Sequence, residues 1–90
     1  MKLHTKKNNL AAIAAEAALE SYLTAMKWKE LNSAHEAYAV LLEEVDELWD
    51  HVKTNQTKRN IKDMRSECIQ VAAMAIRFAH DICDGGKGRV

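Results

Sequence analysis

Apolar residues recur every three or four positions in three stretches of this chain, and polar residues collect between them. The first stretch, about residues 10–27, carries Leu10, Ile13, Ala14, Ala17, Leu19, Leu23 and Met26. That alanine-rich stretch free of glycine and proline predicts an α-helix. Asn8 and Asn9 stand ready to cap its start. In Ser33-Ala34-His35-Glu36 a serine is followed three residues later by a glutamate. This capping box opens a second helix, expected over residues 34–53. Tyr38, Leu41, Leu42, Val45, Leu48, Trp49 and Val52 fall on one broad face of it, and Glu43, Asp46, Asp50 and Lys53 fall opposite. The polar loop Thr54-Asn55-Gln56-Thr57 is short enough to return a third helix antiparallel to the second. That helix is expected over residues 58–83, ending at Gly85-Gly86, with a mobile tail at 84–90.

Helix three is apolar almost all the way round from Cys68 to Ala79, with Ile69 and Ile76 on one side and Val71, Ala75 and Phe78 on another. A helix with no polar face is expected to be buried on every side. Three short helices do not easily enclose it, so a second copy is expected to complete the core. The rest of the composition agrees. Proline is absent and there are only 3 glycines in 90 residues, so helix breakers are scarce. One domain over residues 1–90 is expected, burying only about 60–65% of its unfolded surface. The fold class is therefore all-α: an antiparallel bundle of about three helices, completed as a homodimer or higher homo-oligomer.

The 13 basic and 13 acidic residues cancel, which argues against a nucleic acid polymer as partner. Lys2, His4, Lys6 and Lys7 read as a frayed terminus. No apolar run approaches the roughly 20 residues of a membrane span. Glu16 and Glu20 punctuate the alanine-rich Leu10–Ala18 region, and no cleavage pattern follows it, so a signal peptide is not expected. Cys68 and Cys83 lie roughly 22 Å apart on one helix, too far for an intrachain disulfide. They read as small core residues in a reducing, cytoplasmic setting.

The candidate chemistry lies at the edge of the apolar face of helix two. Glu44, Glu47 and His51 fall within about 60° of one another, and Glu36 and Val40 extend their stripe. Helix three carries a matching stripe of Asp63, Glu67, Gln70, Met74, Arg77 and Asp81. Packed antiparallel, the two stripes face each other. Carboxylates converging from two helices suit a hard divalent cation with oxygen ligands. They are equally a pattern that charged helices produce through ordinary salt bridges, here to Lys53, Lys58 or Arg65.

The run Glu43-Glu44-Val45-Asp46-Glu47-Leu48, followed by Glu67-Cys68-Ile69-Gln70-Val71, resembles the MazG-like all-α nucleoside triphosphate pyrophosphohydrolases. The signature of that family is E-x-x-E on one helix and E-x-x-D on the next. The text from His35-Glu36-Ala37-Tyr38 to Ala72-Ala73-Met74-Ala75-Ile76-Arg77-Phe78 is also similar to small phage and bacterial members. The resemblance covers roughly residues 30–82. It implies Mg²⁺ held by Glu44, Glu47, Glu67 and Gln70, with Glu47 and Glu67 catalytic. It also implies cleavage of a nucleotide substrate between its α- and β-phosphates, giving a monophosphate and pyrophosphate. Gln70 departs from the pattern, standing where the family has an aspartate. Its amide oxygen can bind a metal but carries no charge. Asp63, one turn before Glu67, could partly replace it. A catalytically silent module that binds a nucleotide or a protein is the alternative.

Arg77, Gln70 and His51 complete the candidate substrate-binding set. The guanidinium fork of Arg77 suits phosphate oxygens, although a bridge to Asp81 would equally occupy it. His51 could reach phosphate or metal, or sit at the cleft edge with solvent. Trp28 and Trp49 could stack a base, but packing of helix one on helix two is the plainer expectation. Met64 and Met74 are expected in the core. No E-x-x-H, H-E-x-x-H or glycine-rich phosphate loop is present.

Overall fold

The computed structural model describes residues 3–89. Lys2, Met1 and Val90 lie outside the described residues. Three α-helices follow one another: α1 (Leu3–Lys27), α2 (Ala34–Val52) and α3 (Ile61–Phe78). A 3₁₀ turn at Gln56–Lys58 precedes α3, and a π-helical turn, Ala79–Asp84, continues it. No strand occurs among the described residues, and no helix there is long and apolar enough to cross a membrane.

The boundaries follow local chemistry. Ser33 caps α2 by accepting a hydrogen bond from the Glu36 N–H at 3.1 Å. Asn60 caps α3 in the same way, accepting from the Asp63 N–H at 3.0 Å. The cap at Asn60 starts α3 at Ile61 rather than at 58, because Asn55 first folds the chain into the 3₁₀ turn by accepting from the Thr57 N–H. Helix α1 begins well before residue 10. His4 to Asn9 contain no glycine or proline, and Asn8 bonds back one turn to His4 at 3.2 Å instead of capping. At the other end, a Cβ on Gly85 would strike the Asp81 carbonyl oxygen, and Gly86 takes φ +75°. Those two glycines end the helical run. The Lys87 side chain then ties the tail to the α1–α2 joint, donating to the Leu31 carbonyl at 3.1 Å.

Side-chain contacts set the helix directions. Glu16 pairs with Arg65, Lys29 receives Arg77, and the Leu31 N–H bonds to Asp81. Sequence numbers rise together along these contacts, so α1 runs parallel to α3. On the other side, Ala37, Val40 and Leu41 pack with Met74, Phe78 and Ile82, whereas Glu44 and Glu47 meet Glu67. Numbers fall on one helix as they rise on the other, so α2 is antiparallel to α3, as expected. The middle position belongs to α3, which packs on both neighbours, while α1 and α2 scarcely touch.

This arrangement corrects several expectations. Helix α3 is covered on its two flanks only, and Cys68, Ala75, Ile76 and Ala79 are exposed on an open side. Both cysteines are free and exposed rather than in the core. Because α1 and α2 stand apart, neither tryptophan is packed between them: Trp28 is 61% exposed and Trp49 57%. Among the described residues of α1 only Ala17 and Ser21 are buried, and Leu10, Ile13, Leu19, Leu23 and Met26 are not. Met74 is buried, and Met64 half-buried.

The chain is open for its size. Its radius of gyration is 15.0 Å, against about 12 Å for a compact chain of this length. Its accessible surface is 6855 Å², against about 5,300 Å² for a compact monomer of the same mass. The buried apolar core is small: Leu31, Ala37, Met74 and Ile82 form its main cluster.

Candidate metal centre

Helix α2 is rotated relative to its own apolar arc. The residues turned towards α3 are Ala37, Leu41, Glu44, Leu48 and His51, each half-buried or better. Tyr38, Leu42, Val45, Trp49 and Val52, the other half of the apolar arc, remain exposed. An acid is thus placed inward while a tryptophan faces water. Local preference is broken in this way chiefly where a side chain has work to do.

Antiparallel packing then brings Glu67 of α3 opposite Glu44 and Glu47 of α2. One carboxylate oxygen of each lies within 4.8 Å of those of the other two. Glu44 and Glu67 are half-buried, and Glu47 is exposed. Burial, and then the charges of Glu47 and Glu67, push the Glu44 carboxyl up to about 7. Glu67 is also raised, by burial first and the neighbouring Glu47 next. With all three acids this close, a proton on Glu44 relieves the repulsion near neutrality. One oxygen of Glu67, Oε2, is buried with no hydrogen-bond partner. A buried, unpartnered carboxylate oxygen is costly unless a proton or a cation satisfies it. These residues therefore fit a hard cation by donor type, spacing and unmet demand.

The other expected residues fall around this core. His51 is half-buried on the same face of α2, where its charge acts on Glu67 in the favourable sense. Gln70 lies one turn beyond Glu67 and lines the adjoining cleft. Asp63 is exposed in the first turn of α3 and is not among the converging carboxylates. Glu43, although exposed, lines the cleft beside Glu44 instead of facing away from it.

The cleft follows directly from the separation of α1 and α2. Its floor is α3, through Gln70, Met74 and Arg77. One wall is the end of α1 with Thr24, Lys27 and Trp28, and the other is α2 with Glu36, Val40, Glu43 and Glu44. Its volume of about 760 Å³ falls within the roughly 300–1,000 Å³ of small-molecule sites. Arg77 is only 6% exposed. Its Nη2 donates to the Lys29 carbonyl at 3.1 Å and lies 3.7 Å from Asp81 Oδ2. Its Nε has no partner. The bridge to Asp81 thus forms, and Arg77 also contributes to the cleft.

Sequence reasoning did not single out Lys27, Lys29 or Trp28 as one group. Lys27 Nζ sits 5.6 Å over the Trp28 ring at the mouth of the cleft. The only signal was their adjacency at the end of a helix. Asp81 was considered solely as a bridge to Arg77, yet it is buried and accepts hydrogen bonds from the Leu31 N–H and His80. Comparisons with family models, with curated proteins and with solved structures find no match.

Proposed function

We propose that this chain is a Mg²⁺-dependent nucleotide pyrophosphohydrolase of the MazG-like type. It would cleave a nucleoside triphosphate between the α- and β-phosphates, giving a monophosphate and pyrophosphate. One observation carries this reading: Glu44, Glu47 and Glu67 converge within 4.8 Å, beside a cleft floored by a buried arginine. The motif they occupy is the one that resembles that family.

Glu44 and Glu67 would hold the ion from the two helices, and Gln70 would add an amide oxygen close by. When bound, Mg²⁺ neutralises phosphate charge and lowers the pKa of the attacking water. Glu47, the exposed member, takes the proton as the water oxygen attacks the α-phosphorus. The bond from that phosphorus to its bridging oxygen breaks, and pyrophosphate leaves with the electron pair. Glu67, whose Oε2 is unpartnered, would supply that oxygen to the ion. Arg77 places its positive charge beneath the phosphates from the floor of the cleft. Trp28 offers a base a flat apolar face at the mouth of the cleft.

The neutral Gln70 favours a second reading, a nucleotide-binding module of the same fold without turnover. A screen for pyrophosphate release over common and modified nucleotides with Mg²⁺ separates the two. The enzyme reading expects release that Glu47→Gln lowers by at least about 100-fold, the scale of a general base. No release from any nucleotide sinks it. Thermal stabilisation by nucleotide without turnover then identifies the binding module. No response to nucleotide or metal removes both.

A further inference from the structure

Tyr38, Leu42, Val45, Trp49 and Val52 are spaced four, three, four and three residues apart along α2. That alternation draws one straight apolar seam along a helix, the pattern by which two helices pack side by side. All five are exposed, Tyr38 at 58% and Trp49 at 57%. The seam lies on the flank of α2 away from the acidic cleft, because Glu36, Val40, Glu43 and Glu47 occupy the opposite flank. No described residue of the chain covers it.

We infer that this seam binds the same seam of a second copy, with the two α2 helices antiparallel about a two-fold axis at Val45. Three observations select this occupant. The seam is nearly palindromic about Val45: Tyr38 and Val52 stand seven residues to either side, and Leu42 and Trp49 three and four. Antiparallel pairing therefore sets Tyr38 against Val52 and Trp49 against Leu42, each a large ring against a smaller aliphatic side chain. A two-fold contact must be self-complementary in this way. The surface accounting agrees. The protomer exposes 6855 Å², roughly 1,500 Å² more than a compact monomer of its mass, and a stable interface takes about 800 Å² from each partner. Finally, a hollow of about 290 Å³ between Ala34, His35, Tyr38 and Phe78 adjoins one end of the seam, where the two-fold brings Val52 of the second copy. The outer face of α1, with Ala12, Ala15, Leu19, Tyr22 and Met26, has the same spacing. It is poorer in large side chains, with alanine at two of its five positions.

This contact is independent of the metal reading and leaves the cleft open. Sedimentation equilibrium at about 50 μM, far above a micromolar dissociation constant, should give twice the 10.2 kDa chain mass. Trp49→Glu should return the 10.2 kDa species with its helical circular dichroism intact, since Trp49 is 57% exposed in the protomer. In a Cys68→Ser, Cys83→Ser background, Val45→Cys should oxidise to a disulfide-linked dimer, and Ala39→Cys on a different face should not. The cross-link decides even if Trp49→Glu fails to fold. A monomeric wild-type chain, a dimer that survives Trp49→Glu, or cross-linking at Ala39 as fast as at Val45 would each overturn the inference.

Discussion

Glu44 and Glu67 meet across the α2–α3 interface with carboxylate oxygens within 4.8 Å of each other. Burial and the adjacent charges of Glu47 and Glu67 push the Glu44 carboxyl up to about 7, because three charges in so small a space repel. Protonation of Glu44 is therefore linked to folding and, on the proposed reading, to cation binding.

The sign of the folding linkage is fixed. Glu44 in the folded chain titrates at about 7, against an ordinary value of 4.5. Between those values the folded state binds more protons than the unfolded state, so stability falls as pH rises. The contribution is complete below about 4.5 and lost through about 7. Metal-free protein should thus melt a few degrees lower at pH 8 than at pH 5.5. His80 acts in the same direction, since Asp81 raises it above its usual 6.5. Glu44→Gln should remove the Glu44 part of the slope and leave the His80 part. A melting temperature that is flat or rising across this interval in the wild type would contradict the assignment.

Metal binding should show the complementary linkage. A cation must displace the proton on Glu44, so Mg²⁺ affinity should rise with pH up to about 7 and level off above it. Gln70→Asp adds a charge one turn from Glu67. It should tighten Mg²⁺ binding by about 10-fold or more, an effect of ligand charge. Isothermal titration at two pH values measures both. An unchanged affinity in Gln70→Asp would place that side chain beyond reach of the ion.

The all-α class, the Ser33 cap, the Gly85-Gly86 stop and the antiparallel return of α3 were legible in the sequence because each rests on local chemistry. Glu44, Glu47 and Glu67 were legible as a group because helix periodicity and an antiparallel hairpin suffice to bring them together. The position of α1 was not. Its apolar residues are spread around the whole circumference, so periodicity selected no face, and Ala17 and Ser21 were chosen by close approach to α3. The rotation of α2 was hidden for a related reason. An apolar arc from Leu41 to Trp49 reads as one face, although packing on α3 takes only its acidic edge and leaves the aromatic edge outside. The same rotation exposes Trp49 and turns Glu44 inward.

Close approach makes small residues critical where α2 meets the core. Ala37 is fully buried in the cluster with Leu31, Met74 and Ile82. Ala37→Leu has no cavity to enter and should cost about 1–3 kcal/mol by overpacking. Ile82→Ala should cost about 2–5 kcal/mol by leaving a void. Urea denaturation followed by circular dichroism reads both. Wild-type stability in Ala37→Leu would mean that α2 and α3 stand further apart than this packing allows.

Asp81 is the clearest case of a charge whose role is to hold the cleft in shape. It is 4% exposed, and its Oδ2 accepts from the Leu31 N–H at 3.1 Å while facing Arg77 at 3.7 Å. His80 Nδ1 lies 2.7 Å from its other oxygen. Its partners hold its carboxyl below the ordinary range in spite of burial. Asp81→Ala would leave Arg77 buried without its counter-charge and the Leu31 N–H without an acceptor. The expected cost is about 3–5 kcal/mol, the scale of breaking a buried pair from one side. Asp81→Asn keeps the acceptor for Leu31 and should recover part of that loss. In the double variant Arg77→Met, Asp81→Ala, no buried charge remains, so its cost should be smaller than the sum of the single changes. Additive costs would show that the two side chains act independently. The cycle, measured by urea denaturation, would then assign the position of the α1–α2 joint to the hydrogen bonds at Lys29 and Leu31 alone.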